Sequence, residues 1–585
     1  MPESILSIII FSPLIGVLLI ALQKDETYIK WTSLFITFIS FVLSVPLMLA
    51  FNSSSSELQF VHFIPGWILM GEKLVVNYHF GLDGIALLLF VLTSFLFFLS
   101  SAASWTYIQK RIKEFHIALL FLEIGVLGVF SSANLILFYI FWELMLIPMA
   151  LLIGVWGGEN RVYAAVKFFI YTMAGSVLML AGILIIYYKT GTVTIEELSV
   201  MNLDNFSREL QIFLFIAFAL SFAIKIPVFP VHTWLPDAHT EAPTAGSVIL
   251  AGVLLKMGTY GFIRFCIPFF PSISLEFKEI LMVLSVVGIV YGALVAMVQK
   301  DAKKLIAYSS VSHLGFCTLG LLTFTEEGVM GGMLQMINHG VSTGMLFLMI
   351  GMIYERTHTR MIADYGGIAK IVPTFAIFFM IAMLSSVGLP GTNGFVGEFL
   401  VLLGTLKINV ILGVVAGTGV VWAAAYLLWL TKRFLFGELT NKENELLSDL
   451  NTREIAILVP LVVLIFWFGI YPKTFSKYLE PSVRVYLNSA STQAISERIS
   501  RVSETGEKII DSKQYTQNYK TLGAPVRSFE QRLAGYTTAY TILTEADSIK
   551  AMPVDPHDNH NETPEKTMDS HEGHENESIH KEGEN

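Results

Sequence analysis

The feature that most constrains this chain is a succession of apolar runs, each about 20 residues long, recurring from residue 4 to residue 470. A helix of that length crosses a hydrocarbon core of about 30 Å. In lipid only helices and closed barrels satisfy their own backbone groups. The runs lie near 4–22, 30–50, 82–103, 115–131, 133–153, 163–187, 211–230, 243–265, 278–298, 305–324, 329–354, 371–403, 410–436 and 453–470. They predict an all-α polytopic membrane protein with about fourteen transmembrane helices. Composition agrees, since 54% of the 585 residues are hydrophobic and only 15% are charged, where a soluble domain carries about 25%. The first run follows Met-Pro-Glu-Ser without a basic segment, so it reads as a retained span and not as a signal peptide.

Loop charges set an expected orientation. Sixteen Lys and Arg, from Lys24 and Lys30 to Arg433 and Arg453, fall in one set of alternate loops, and six, including Lys73, Lys189 and Lys407, fall in the other. By the positive-inside rule the N-terminus faces outward and, with an even number of spans, so does the tail. The expected location is a bacterial inner (plasma) membrane with both termini on the periplasmic side. Cys266 and Cys317 lack the CxxC spacing of iron-sulfur or zinc sites. Neither GxGxxG nor GxxxxGK[ST] occurs in a nucleotide-binding context, and no cofactor, metal or nucleic acid is expected in this chain.

Ionisable residues inside the runs are the candidate functional groups. A charge at the centre of a membrane helix costs about 2.5–3.5 kcal/mol on insertion scales, so it needs a partner, water or a role. Glu123, Glu143, Lys225, Lys256, His313, His339 and Glu398 all lie in such positions. Each can bind and release a proton. The plainer alternative makes Glu123 a structural hydrogen-bonder and each histidine a satisfied interior one. Lys167 sits near a helix end and can snorkel.

Two of these groups lie beside helix breaks. Pro227 and Pro230 follow Lys225, and Pro390 precedes Glu398 among Gly388, Gly391, Gly394 and Gly397. Proline removes a backbone donor, so carbonyls near a break need water or side chains, and such a site is wet or polar. Pro390 follows Pro227 at nearly the interval that separates Gln335 from Lys167. This spacing suggests two related five-helix halves, the second inverted because five is odd, as in transporters with paired broken helices. The expected divisions are 1–110 (three helices and an outer loop), 111–265 (first repeat), 266–436 (second repeat), 437–470 (last helix) and 471–585 (tail).

Outside the runs, 51–81 reads as a structured outer cap or as a plain connector. Residues 471–550 suggest one or two amphipathic helices on a partner or the membrane surface. Residues 551–585 are acidic and His-rich and read as a disordered, solvated segment.

Four stretches together resemble a known family. They are Phe-Trp-Glu-Leu-Met-Leu-Ile-Pro (141–148), Lys-Ile-Pro-Val-Phe-Pro-Val-His-Thr-Trp-Leu-Pro-Asp-Ala-His-Thr-Glu-Ala-Pro (225–243), Leu-Ile-Ala-Tyr-Ser-Ser-Val-Ser-His-Leu-Gly-Phe (305–316) and Gly-Leu-Pro-Gly-Thr-Asn-Gly-Phe-Val-Gly-Glu-Phe (388–399). From about residue 80 to 470 the chain is similar to the antiporter-like subunits of respiratory complex I, the proton-pumping NADH:quinone oxidoreductase. Glutamate at 398 is similar to the M type (chain 4 type), whereas L-type, N-type and Na+/H+-antiporter D-type chains usually carry lysine there.

The resemblance implies fourteen helices in two inverted repeats. It also implies Glu143 paired with Lys225, Lys256 as central relay, His313 and His339 along a polar axis, and Glu398 as the terminal group of an outward half-channel. It implies NAD, flavin, iron-sulfur clusters and quinone in partner subunits, with L-type and N-type chains and membrane lipid as neighbours. Two alternatives use the same residues: a subunit of a multisubunit Na+(K+)/H+ antiporter, against which Glu398 counts, and one of a membrane-bound hydrogenase-type complex. Residues 490–585 lie outside the resemblance.

Overall fold

Twelve helices among the described residues are long and apolar enough to cross a membrane. They are Ile5–Leu22, Glu26–Ala50, Gly84–Tyr107, Ile112–Ser131, Leu135–Trp156, Arg161–Thr190, Thr244–Phe269, Pro271–Met297, Ala302–Leu322, Glu326–Thr357, Val410–Phe434 and Thr452–Ile470. The two other expected spans are interrupted: Arg208–Lys225 resumes as Trp234–Glu241, and Pro373–Val387 resumes as Asn393–Ile408. The computed structural model describes residues 2–70, 74–200, 203, 206–439 and 441–505, within one compact unit, Met1–Ile509. The acidic, His-rich segment 551–585 lies outside the described residues.

Local sequence explains where many helices start. Asp25, Asn134 and Asp301 each accept two backbone N–H groups of the following turn, and Asn451 with Glu454 forms a capping box. These contacts satisfy donors that a helix leaves unpaired at its N-terminus. Two spans, Thr244–Phe269 and Glu326–Thr357, have their apolar segments wholly buried. They form the centre of the bundle, while Glu26–Ala50, Val410–Phe434 and Thr452–Ile470 leave most of theirs exposed, as expected of lipid-facing helices.

Three details refine the expected helical fold. Part of 51–81, expected as a structured cap or a connector, is an antiparallel hairpin of Gln59–Met70 with Leu74–Leu82. The predicted helix 133–153 divides at Met145 into Leu135–Leu144 and Leu146–Trp156. Finally, the helix after residue 471, Lys473–Thr505, packs on this chain instead of waiting for a partner. Phe475, Tyr478, Leu479, Val483, Tyr486 and Leu487 are buried at helical spacing. Tyr478 donates to the Met48 carbonyl at 3.0 Å and Tyr486 to the Leu321 carbonyl at 2.8 Å.

Gly84 allows that helix to seat, because a Cβ at this position would lie 1.7 Å from the Tyr478 carbonyl oxygen. At the end of the bundle that carries the basic loops, Arg356 meets Glu454 through two hydrogen bonds of 2.9 and 2.7 Å, with Glu454 buried.

Gly84→Ala is expected to cost about 1–3 kcal/mol by overpacking, read as a lower thermal midpoint of the purified protein in detergent; an unchanged midpoint would show that the helix is not seated there. Glu454→Ala leaves Arg356 uncompensated and should cost about 3 kcal/mol in the same assay. The double variant Arg356→Met/Glu454→Leu is expected to recover part of the loss.

Candidate functional site

The first break places Lys225 at the end of its helix, buried. Trp234, on the resumed segment, donates its indole N–H to the Ile224 carbonyl at 2.8 Å, so one carbonyl at the break is paired within the protein. Lys225 Nζ lies 3.3 Å from Met145 Sδ, 5.3 Å from the Trp142 ring centroid and 5.6 Å from that of Phe168. The rings give the ammonium partial compensation. Glu143 ends the Leu135–Leu144 helix. It acts on Lys225 electrostatically, but the two form no ion pair, and one Glu143 carboxylate oxygen is buried without a hydrogen-bond partner. The direct Glu143–Lys225 pair implied by the sequence resemblance is therefore absent: Met145, at the division of the helix, occupies the contact with Nζ.

Lys167, near the start of its helix, has a charged partner. It forms an ion pair with Asp237 of the resumed segment at 2.7 Å, and the neighbouring Tyr171 hydroxyl bonds Thr233 at 2.9 Å. Both contacts tie the Arg161–Thr190 helix to the first break.

Lys256 lies at the centre of the bundle, fully buried, between two widened π-helical segments, Leu250–Leu254 and Phe262–Cys266. Such widened turns recur at functional sites, and nothing in the apolar pattern signals them. The Ala251 carbonyl, inside the first, accepts from Lys256 Nζ. The same ammonium is 2.7 Å from His339 Nδ1. This bond needs two helices in close contact, and a Cβ on Gly340 would lie 2.7 Å from the Gly252 carbonyl oxygen.

From His339 the polar groups continue without a change of layer. The rings of His339 and His313 are 5.9 Å apart. His313 Nδ1 is 2.7 Å from Glu398 Oε1, which also accepts from Gln335 Nε2 at 2.8 Å. Lys256, His339, His313 and Glu398 thus form one buried line. Atoms left free of partners along it, His339 Nε2, Gln335 Oε1 and Asn338 Oδ1, face a region where His313, Ser342, Ser385 and Glu398 line a small polar cavity. Buried polar atoms beside such a cavity are suited to bind water.

The second break is held by side chains. Gly388 adopts a positive φ of 82°, open to glycine without strain. Asn338 donates to the Asn393 carbonyl at 2.8 Å and Asn393 returns a bond to the Asn338 carbonyl at 3.1 Å. Ser385 and Ser342 both donate to Asn393 Oδ1, at 2.5 and 3.1 Å.

Glu123 stands apart from this line. It is fully buried, both its oxygens lack hydrogen-bond partners, and Ser40 of the Glu26–Ala50 helix lies beside it.

Several polar groups at or near the line were not singled out from the sequence. His239 is buried, stacks on Phe347 with 4.6 Å between ring centroids, and feels the charges of Lys256 and Lys303. Lys303, counted with the loop lysines, is instead buried and donates to the Ala242 carbonyl. For His239 the signal was available, since it lies within the quoted 225–243 motif. The asparagine–serine cluster and Tyr426, whose hydroxyl is 3.4 Å from His313 Nε2, carry no formal charge and leave no comparable mark. No group of three or more His, Cys, Asp or Glu side chains suited to a metal ion occurs among the described residues.

Comparisons with known proteins agree with this architecture. Residues 132–423 match the family described as NADH:quinone oxidoreductase/Mrp antiporter, TM. NADH-quinone oxidoreductase subunit M of Rickettsia conorii is 46% identical over 486 residues, covering 82% of this chain and 98% of that protein. A chain of respiratory complex I from Thermus thermophilus superimposes with a TM-score of 0.75 and 32% identity, covering 83% of this chain and 99% of the other. A chain of the Mrp complex from a Dietzia species shares the fold alone, with a TM-score of 0.73, 20% identity, and coverage of 84% and 99%. The chain belongs to the family of NADH-quinone oxidoreductase subunit M, the antiporter-like membrane subunits of respiratory complex I.

Proposed function

We propose that protons cross this subunit along Glu143, Lys225, Lys256, His339, His313 and Glu398, with the two helix breaks as hydrated approaches. The chain serves as a proton-translocating, multi-pass membrane-arm subunit of NADH:quinone oxidoreductase and carries no redox centre of its own. The observation that supports the route best is the buried line Lys256–His339 and His313–Glu398, two hydrogen-bonded pairs whose histidine rings lie 5.9 Å apart. A buried line of this kind, reaching from the centre of the bundle to the helix that follows the second break, has little structural purpose in hydrocarbon.

In this reading, Glu143 and Lys225 alternate between a closed pair and the separated arrangement described above. When the pair opens, Lys225 loses its counter-ion and its proton is driven toward Lys256, then Glu398. Electrostatic changes in neighbouring L-type and N-type chains open the pair, driven by redox chemistry that uses their complex's NAD, flavin, iron-sulfur clusters and quinone. Glu123, set apart among the first helices, is assigned a secondary proton-binding role. The proposal includes fourteen spans, the twelve given above and the two interrupted at the breaks. Residues 111–265 and 266–436 form the inverted halves, flanked by 1–110 and 437–470, with 471–585 as the extramembrane tail. The N-terminus and tail face the outer side of a bacterial inner membrane, on the positive-inside argument.

With the intact complex in proteoliposomes, Lys225→Ala or Glu143→Ala is expected to lower proton pumping and quinone-linked NADH oxidation together, by about tenfold or more, as loss of an acid–base group does. Wild-type pumping in both variants would sink the assignment. Lys256→Ala and Glu398→Gln should behave alike. Sodium flux that persists in the same vesicles without NADH would favour the antiporter reading instead.

A further inference from the structure

His313 has two ring nitrogens, and the route above gives a hydrogen-bonded partner to only one. Nδ1 faces Glu398 at 2.7 Å. With Glu398 ionised, Nδ1 carries the hydrogen, so in a neutral ring Nε2 is an acceptor. Its partner is the Tyr426 hydroxyl at 3.4 Å, on the Val410–Phe434 helix and fully buried. Ser309 adjoins that hydroxyl from the helix that carries His313. Ser309 spends its own hydrogen on the Ile306 carbonyl at 2.8 Å, which leaves its lone pairs turned to other donors. The group next to Nε2 can therefore both give and accept a hydrogen bond, and it stands on the face of His313 away from Glu398.

We infer that Tyr426 is a second proton-exchange partner of His313, loading Glu398 by a branch separate from the Lys256–His339 line. The branch rests on the proton route proposed above. In the loading step, a hydronium-borne proton arriving on the Ser309 side joins the Tyr426 oxygen as the hydroxyl hydrogen moves to His313 Nε2. The Nδ1 hydrogen moves to Glu398 Oε1. One proton enters and one reaches Glu398, while the imidazole exchanges tautomers and the tyrosine ends as it began. Once Glu398 has released its proton, His313 returns to its first tautomer as a water of the adjoining cavity takes the Nε2 hydrogen and gives one of its own to Nδ1, so no proton is gained or lost. Ser309 lies nearer the Asp301 end of its helix, and Tyr426 nearer the Lys432 and Arg433 end of its own, so the branch lies on the basic-loop side of His313.

The test uses the intact complex in proteoliposomes, with NADH-driven pumping normalised to assembled subunit. Tyr426→Phe keeps the ring and removes the hydroxyl, and pumping should fall by about tenfold. Tyr426→His, a poorer fit in shape but able to donate and accept, should recover part of it. A packing role predicts the opposite order. Pumping in assembled Tyr426→Phe within about twofold of wild type overturns the inference. Should that variant fail to assemble, Ser309→Ala is compared with Ser309→Thr: loss in the first with retention in the second supports the branch, and equal pumping overturns it. Glu398→Gln is run in parallel. Wild-type pumping in Glu398→Gln overturns the route itself, whereas loss there with normal Tyr426→Phe overturns the Tyr426 branch alone.

Discussion

Hydrocarbon offers no hydrogen bonds, so the polar groups inside this bundle depend on the protein or on enclosed water for partners. That constraint organises the molecule. The outer helices turn apolar faces outward and keep their few polar groups, such as Ser40 and Tyr426, on the inner side. The two most deeply buried spans, Thr244–Phe269 and Glu326–Thr357, hold Lys256 and His339, which bond to each other and to backbone. Each interruption of a helix is answered by a side chain: Trp234 at the first, Asn338, Ser342 and Ser385 at the second. Polar side chains therefore mark where the backbone is irregular, and the candidate proton-exchanging groups sit beside them.

Much of this was legible in the sequence because the signals are strong in the physics that produces them. A run of about twenty apolar residues has few other fates, and a proline next to a buried charge is costly enough to stand out. The breaks after Lys225 and before Glu398, and the burial of Lys256, His313, His339 and Glu398, all follow from that reasoning. Contacts that depend on one rotamer or one turn did not follow. The separation of Glu143 from Lys225 turns on the division at Met145. The π-helical segments around Lys256 differ from an α-helix by single residues. Lys303 looked like a loop lysine because its sequence neighbours Lys300 and Lys304 are loop-like, and only the fold shows it reaching the Ala242 carbonyl.

The two breaks are not equivalent. The first is lined by aromatic rings, a thioether and an ion pair between Lys167 and Asp237. The second is a dense lattice of amides and hydroxyls around Asn393. A soft, polarizable lining tolerates a cation that changes partners, whereas a satisfied amide network rigidifies its surroundings. The two breaks thus differ in mechanical character, one suited to rearrangement and the other to holding Glu398 against His313 and Gln335.

The crossing at Gly252 and Gly340 has a consequence for motion. With a carbonyl already within 2.7 Å of where a Cβ would stand, the two central helices are in backbone contact and cannot move closer. Lys256 stands four residues and His339 one residue from that crossing, so their bond sits where the separation of the two helices is already held at its minimum.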